Sequence, residues 1–287
     1  MERLTEKQKG EIIECYKIGN ITISQLGRDY NTSTSTVNRL LKKNKIATIL
    51  NFYGNNKKYT INHSYFNIID NEIKAYILGF FYADACNNEK RSCINLTIQE
   101  RDKPLLDRIN KEMESDRPLA FNHIQKRYPN RQNCFTLAIN SKQISSDLAR
   151  LGCFKCKSLT LKFPTNEQVP TELLRHFLRG MIDGDGSFGR YSVKGTRGYR
   201  MSAELVSTDN FCLATAKILK TNLSIHCSIY ALNNKKSIST RRLSVSGTQQ
   251  VYRLIKWLYQ DAKIFLPRKM DNFVNIENSL KLAKLIS

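Results

Sequence analysis

Apolar positions along this chain fall into three regimes. The first is helical. Over Ile73–Phe81 and again over Leu174–Ile182 the apolar residues run into an acid flanked by small residues. The copies read Ile77-Leu78-Gly79-Phe80-Phe81-Tyr82-Ala83-Asp84-Ala85 and Leu178-Arg179-Gly180-Met181-Ile182-Asp183-Gly184-Asp185-Gly186. They keep a constant offset of 101 residues: Ile73 matches Leu174, Tyr76 matches Phe177, Gly79 matches Gly180 and Asp84 matches Asp185. A fixed offset of this kind predicts two copies of one structural unit. Small residues four apart, Gly79 with Ala83 and Gly180 with Gly184, let two helix backbones approach closely. Both helices are too short and too polar at their ends to span a bilayer. They are predicted to pack against each other in a core and to bring Asp84 beside Asp185.

After each helix the period changes to two. Ser92–Gln99 alternates Ile94, Leu96 and Ile98 with Cys93, Asn95, Thr97 and Gln99, and Cys134–Asn140 alternates Phe135, Leu137 and Ile139 with Thr136, Ala138 and Asn140. In the second copy Tyr199–Ser207 and Arg241–Ser246 carry the same signal. One apolar and one polar face predicts half-buried antiparallel sheets. Helices at Lys142–Leu151 and Thr248–Tyr259 follow, each leading to a basic segment, Lys155-Cys156-Lys157-Ser158 and Pro267-Arg268-Lys269.

The third regime precedes the repeats. A helix over Glu6–Ile18 places Ile12, Ile13 and Tyr16 on one face, with Gly19-Asn20 suited to end it. Thr22 with Gln25 forms a capping box for a second helix carrying Ile23, Leu26 and Tyr30, which breaks at Asn31-Thr32. A third, Ser33–Asn44, buries Val37, Leu40 and Leu41. Its other face offers Thr34, Ser35, Asn38, Arg39, Lys42 and Lys43, polar groups suited to base edges followed by cations suited to phosphates. The stretch SQLGRDYNTSTSTVNRLLKK resembles the DNA-reading helices of resolvases and transposases. The expected layout is a helix-turn-helix domain at 1–46, a polar linker or arm at 47–70, a first repeat at 71–167 and a second at 168–287. Asp70 is expected to cap the first motif helix.

Charge decides the partner. Lys and Arg total 46 of 287 residues against 25 Asp and Glu, a formal charge of +21, the footprint of a polyanion binder. Without a long apolar run or an amphipathic anchor, nucleic acid is preferred over membrane. The N-terminus has no signal-peptide apolar region, so the protein is expected inside the cell, in cytoplasm, nucleoid or organelle matrix. Eight cysteines are then expected as thiols. Cys153 and Cys156 form a lone CxxC with no second ligand pair at zinc spacing. His63, His123, His176 and His226 form no catalytic cluster, and His176 is read as structural.

Two acids at helix C-termini face the negative end of each dipole, unfavourable by roughly 0.3–1 kcal/mol. Adjacent like charges add to this unless a cation lies between them. Oxygen ligands open to water suit Mg²⁺ or Mn²⁺, and a metal held across a phosphodiester can activate water for hydrolysis. At these residues the chain resembles the LAGLIDADG homing endonucleases, and Leu178-Arg179-Gly180-Met181-Ile182-Asp183-Gly184-Asp185-Gly186 is the closer of the two motifs. The resemblance implies an α+β fold of two pseudo-symmetric αββαββα halves with antiparallel DNA-binding sheets. It implies a monomer with an internal pseudo-dimer, and double-stranded DNA as substrate. Asp84 and Asp185 would be the metal-binding catalytic acids, and the products would carry short 3′ overhangs. Lys157 and Lys269 match the position of a basic residue that stabilises charge at the scissile phosphate. Asp183, replaced by Tyr82 in the first copy, is given no catalytic role. The first motif departs from the pattern at Ala85-Cys86, which leaves open whether both strands are cut.

Asn95, Thr97, Gln99, Lys126, Arg127, Arg131, Arg190, Lys194, Arg197, Lys235, Lys236, Arg241 and Arg242 lie in or beside the proposed hairpins and are the expected DNA contacts. A ten-residue strand spans about 33 Å, so two sheets would cover about 20 base pairs. Two other functions use the same features: a non-catalytic, sequence-specific DNA-binding regulator, and a maturase acting on intron RNA.

Overall fold

The computed structural model describes residues 4–18, 21, 23–44, 46, 59–192, 199–232 and 240–282. The chain divides into two compact units, Met1–Tyr59 and Thr60–Ser287.

The first unit holds helices α1 (Glu6–Ile18), α2 (Ile23–Asp29) and α3 (Thr34–Lys43) around Ile12, Tyr16, Leu26, Val37 and Leu41, all buried. Ser33 is the N-cap of α3 rather than its first residue: its Oγ accepts from the Thr36 amide at 3.1 Å. This satisfies one of the orphan donors of a helix start. Between α2 and α3 the chain reverses at Asn31, which takes a left-handed φ of 46°, a conformation asparagine tolerates better than most residues. Gly19, Asn20 and Thr22, expected to end α1 and begin α2, lie outside the described residues.

The second unit contains both repeats. The first runs α4 (Glu72–Asp84), β1 (Ala85–Asn88), β2 (Cys93–Gln99), α5 (Lys103–Glu112), β3 (Ala120–Asn122), a short α6 (Ile124–Arg127), β4 (Cys134–Asn140) and α7 (Lys142–Arg150). The second runs α8 (Leu174–Asp185), β5 (Gly186–Ser192), β6 (Tyr199–Thr208), α9 (Asp209–Leu223), β7 (Ser228–Ala231), β8 (Thr240–Ser246), α10 (Thr248–Tyr259) and α11 (Pro267–Leu282). Apart from α6 and α11, each repeat is αββαββα, as expected. Both sheets are antiparallel with the same order, β1-β2-β4-β3 and β5-β6-β8-β7. Their registers correspond as well: Ala85 pairs Leu96, which pairs Leu137, and Gly186 pairs Leu205, which pairs Leu243.

Alternation puts Ile94, Leu96 and Ile98 of β2 in the core and leaves Asn95, Thr97 and Gln99 exposed. On β6, Met201, Ala203 and Leu205 point inward in the same way. The helices cover the inner faces and the two motif helices lie between them in one continuous core.

Two expectations change at the entry to the first repeat. The cap of α4 is Asn71, not Asp70: the Asn71 side chain accepts from the amides of Ile73 and Lys74, both at 3.0 Å. Asp70 instead accepts from Asn71 and pairs with Lys74 at 3.1 Å. The stretch read as an arm to residue 70 also joins the repeat early. Tyr65, Phe66 and Ile69 are buried in its core, and the Asn62 amide donates to Met113. Burying these apolar residues fixes the chain there. Residues 47–58 lie outside the described part.

Candidate functional site

Close packing of α4 on α8 sets the site. A Cβ built on Gly79 would fall on the carbonyl of Phe177, and one on Gly180 would fall on the carbonyl of Tyr76. Because Phe177 is the repeat equivalent of Tyr76, the crossing is symmetric. Only residues without side chains allow it. Further along, a Cβ on Gly184 would meet the Ala83 methyl and lie 3.1 Å from Asp84 Oδ2. The C-terminal ends therefore converge, and Asp84 and Asp185, the last residues of their helices, stand close enough to repel each other.

Asp84 and Asp185 both remain open to solvent. Burial pushes Asp84 up to about 6, the Asp185 charge pushes the same way, and Lys157 and Lys269 oppose both. Burial likewise raises Asp185 against the pull of Lys157 and Lys269. The two lysines are themselves buried and occupy equivalent places. Lys157 Nζ donates to the carbonyl of Ala85, and Lys269 Nζ donates to those of Ile182 and Gly186, the last at 2.7 Å. Ala85 and Gly186 are the residues that follow the two acids. Burial lowers Lys269 to about 8, with Asp183, Asp84 and Asp185 holding it up. The result is two acids and two cations within one small volume at the junction of the sheets.

The donor set fits a hard divalent cation. Two carboxylates suit a metal that keeps most positions for water and phosphate. Among the described residues no three His, Cys, Asp or Glu side chains gather into a protein-only metal cage. Cys153 is buried with its thiol on the Phe81 carbonyl at 3.4 Å, whereas Cys156 is exposed.

Behind the acids lie groups that have no direct reach to solvent. Asp183 is fully buried and accepts from Tyr76 Oη at 2.7 Å, from Tyr259 Oη, and from the Leu266 amide at 2.7 Å. Its first-repeat equivalent, Tyr82, donates to the Leu151 carbonyl. Asn87, also fully buried, donates to the carbonyls of Ser145 (2.9 Å) and Cys153 (3.0 Å) and accepts from Ser145 Oγ (2.7 Å). Arg179 is buried over the Tyr76 ring and donates to the Ile264 and Leu258 carbonyls, both at 3.0 Å. Neither Asn87 nor Arg179 was among the sequence candidates. Asn87 left one signal, a polar residue at an inward position of the alternating strand β1.

The expected DNA contacts divide by face. Asn95, Thr97 and Gln99 are exposed on the outer face of the first sheet, where Thr97 Oγ1 and Thr136 Oγ1 are 2.7 Å apart. Lys126 and Arg131 are exposed on the connection between β3 and β4, with Arg131 over the Tyr128 ring. Arg242 is exposed on the outer face of the second sheet, beside Glu204 at 3.6 Å. Arg200 is exposed on β6 as well and was not anticipated.

Arg241 is the exception. Strand alternation turns it to the helix side, where it pairs with Asp209 at 3.2 Å, so it does not join the outer face. The side chains of Arg127 and Arg190, and residues Lys194, Arg197, Lys235 and Lys236, lie outside what is described. In the separate N-terminal unit Thr34, Ser35, Arg39, Lys42 and Lys43 are exposed and Asn38 is half-buried. Among the described residues no helix is long and apolar enough to cross a membrane.

No protein-family model matches the sequence, and neither does any curated protein. Solved structures do resemble the fold. The DNA-bound LAGLIDADG homing endonuclease I-LtrWI aligns over 78% of this chain and 92% of its own, at 10% identity and a TM-score of 0.50. The meganuclease I-SmaMI bound to uncleavable DNA aligns over 73% and 91%, at 12% identity and TM-score 0.49. The homing endonuclease I-GzeII in complex with its DNA target aligns over 75% and 91%, at 13% identity and TM-score 0.47. At these identities the likeness speaks to architecture, and the first alignment carries it. Together with the duplicated αββαββα unit and the glycine crossing, it gives this chain the LAGLIDADG homing-endonuclease fold, with both halves in one polypeptide.

Proposed function

We propose that this protein is a site-specific, double-strand DNA endonuclease dependent on Mg²⁺ or Mn²⁺. The observation that carries the proposal is the pairing of Asp84 and Asp185 at the convergent ends of α4 and α8, each beside a buried lysine on the carbonyl that follows it. In a structural helix pair, adjacent carboxylates would be costly. As ligands for a divalent cation they would not be. Asp84 and Asp185 would hold the metal, which supplies charge neutralisation and a water of lowered pKa. Lys157 and Lys269 would place positive charge where the leaving oxygens develop negative charge.

The outer sheet faces support the DNA-reading part of the proposal. Asn95, Thr97, Gln99 and Arg242 stand on them, and Asn and Gln can read adenine while Arg reads guanine. Lys126 and Arg131, together with Arg39, Lys42 and Lys43 of the N-terminal unit, suit phosphates. The net charge of +21 supports a long DNA contact.

The test is cleavage of a randomised duplex library with Mg²⁺, run beside a Ca²⁺ control and the double variant Asp84→Asn/Asp185→Asn. The expected result is cutting of both strands at one long site, abolished in the variant while DNA affinity stays within about threefold. Enrichment of one sequence by binding, with no cutting by the wild type, would instead identify a regulator built on this fold.

A further inference from the structure

The two halves hold their lysines by different means. In the first, Asn87 of β1 donates to the Cys153 carbonyl at 3.0 Å and to the Ser145 carbonyl at 2.9 Å. Four residues after Cys153, Lys157 reaches back to Ala85 on the same strand. The two contacts are rungs of one ladder between β1 and the segment that carries the lysine. In the second half the residue equivalent to Asn87 is Phe188, which offers no polar atom.

There the ladder starts from the helix instead. Asp183 takes the Leu266 amide at 2.7 Å. Leu266 caps α11, its carbonyl accepting from the amides of Lys269 and Met270, and Lys269 reaches back to Ile182 and Gly186. Tyr259 and Tyr76 complete the ligation of Asp183. The position equivalent to Asp183 is Tyr82, which bonds a carbonyl at the end of α7.

We infer that Asn87 and Asp183 are positioning residues, each fixing the lysine of its own half, so that each governs the cutting of one DNA strand. The inference rests on the endonuclease reading for its strand-specific consequence but not for the positioning itself. Neither side chain touches substrate. Each acts through a backbone segment, and the two segments belong to different repeats.

The test uses the full chain with Asp183→Asn and Asn87→Leu, both close in size to the native residues. A duplex bearing the site recovered by library selection is end-labelled on one strand or the other. Lys269→Met and Lys157→Met serve as strand markers. Asp183→Asn should slow by about tenfold or more the strand that Lys269→Met slows, leaving the other within about threefold. Asn87→Leu should do the reverse. Equal slowing of both strands by either variant would overturn the inference, since a merely structural defect has no strand preference.

Acylation of surface and buried lysines by acetic anhydride, read by mass spectrometry, decides the matter even if the wild type does not cut. Asp183→Asn should raise labelling of Lys269 several-fold and leave Lys157 unchanged, and Asn87→Leu should do the opposite. Unchanged labelling, or a joint rise at both lysines, would refute the positioning roles. Absence of cutting with lysine-specific labelling would sink the endonuclease reading alone.

Discussion

Replacing Gly180 by alanine would test the helix crossing on which the site depends. A single methyl is added, and in an isolated helix it would stabilise by about 0.8–1 kcal/mol. Here the new carbon would fall on the Tyr76 carbonyl and against the Phe80 amide at 2.7 Å. Both are backbone atoms of α4 and cannot turn aside, so the helices must separate. Overpacking costs about 1–3 kcal/mol when side chains can adjust. With backbone on the other side the upper end applies, leaving a net loss of about 2 kcal/mol. For a unit of this size that lowers Tm by roughly 4–8 °C.

The control is Gly10→Ala in α1, where a Cβ meets nothing within 4 Å and propensity alone should raise the stability of the N-terminal unit. Calorimetry of both variants, with urea denaturation to check the slope, supplies the measurement. An unchanged or raised Tm for Gly180→Ala would show that the helices do not cross at these glycines. The placement of Asp84 beside Asp185 would fall with it.

Three further outcomes are expected. His176 is buried beside Arg179, and burial with that charge lowers it to about 4, so the unfolded chain binds more protons between pH 6.5 and 4. Stability should therefore fall as pH drops through that window, by on the order of 2 kcal/mol, and should not depend on this residue above it; equal pH profiles for wild type and His176→Gln in urea titrations would refute this. Asn71→Ala removes the cap of α4 and should cost about 1 kcal/mol in the same assay, whereas Asp70→Ala should cost less because its pairing with Lys74 is exposed. Affinity for the selected duplex should fall steeply with salt, by about 10³-fold or more between 50 and 200 mM, and a flat salt dependence in fluorescence anisotropy would remove phosphate contact as the main source of binding.

What could be read from the sequence is what repeats or alternates. The constant offset located both motif helices, and period-two alternation located β2, β4, β6 and β8, because both patterns are imposed by local geometry on one side of a core. The lysines were found by their place after equivalent helices. Polar residues whose partners are far along the chain were not found. Asn87 bonds groups 58 and 66 residues away, and nothing near it in sequence marks it as buried and satisfied. Asp183 could be set apart from Asp185 only by the mismatch with Tyr82, and its partners come from α4, α10 and the approach to α11. The cap moved from Asp70 to Asn71 because two adjacent capping residues competed, and backbone direction chose between them. Arg241 and Arg242 are neighbours on β8, and strand alternation turns them to opposite faces, which the basic pair alone could not show.

The contact between Ala83 and Gly184 has a consequence for how the halves pair. These are equivalent positions on opposite sides of the pseudo-twofold axis, and the single methyl of Ala83 already fills the space, since a Cβ on Gly184 would collide with it. A homodimer of the first half would set alanine against alanine there, two methyls where one fits. A homodimer of the second would set glycine against glycine and leave a gap. At this contact the two halves are complementary to each other rather than to themselves, since one methyl fits between them where either half paired with its own copy would supply two or none.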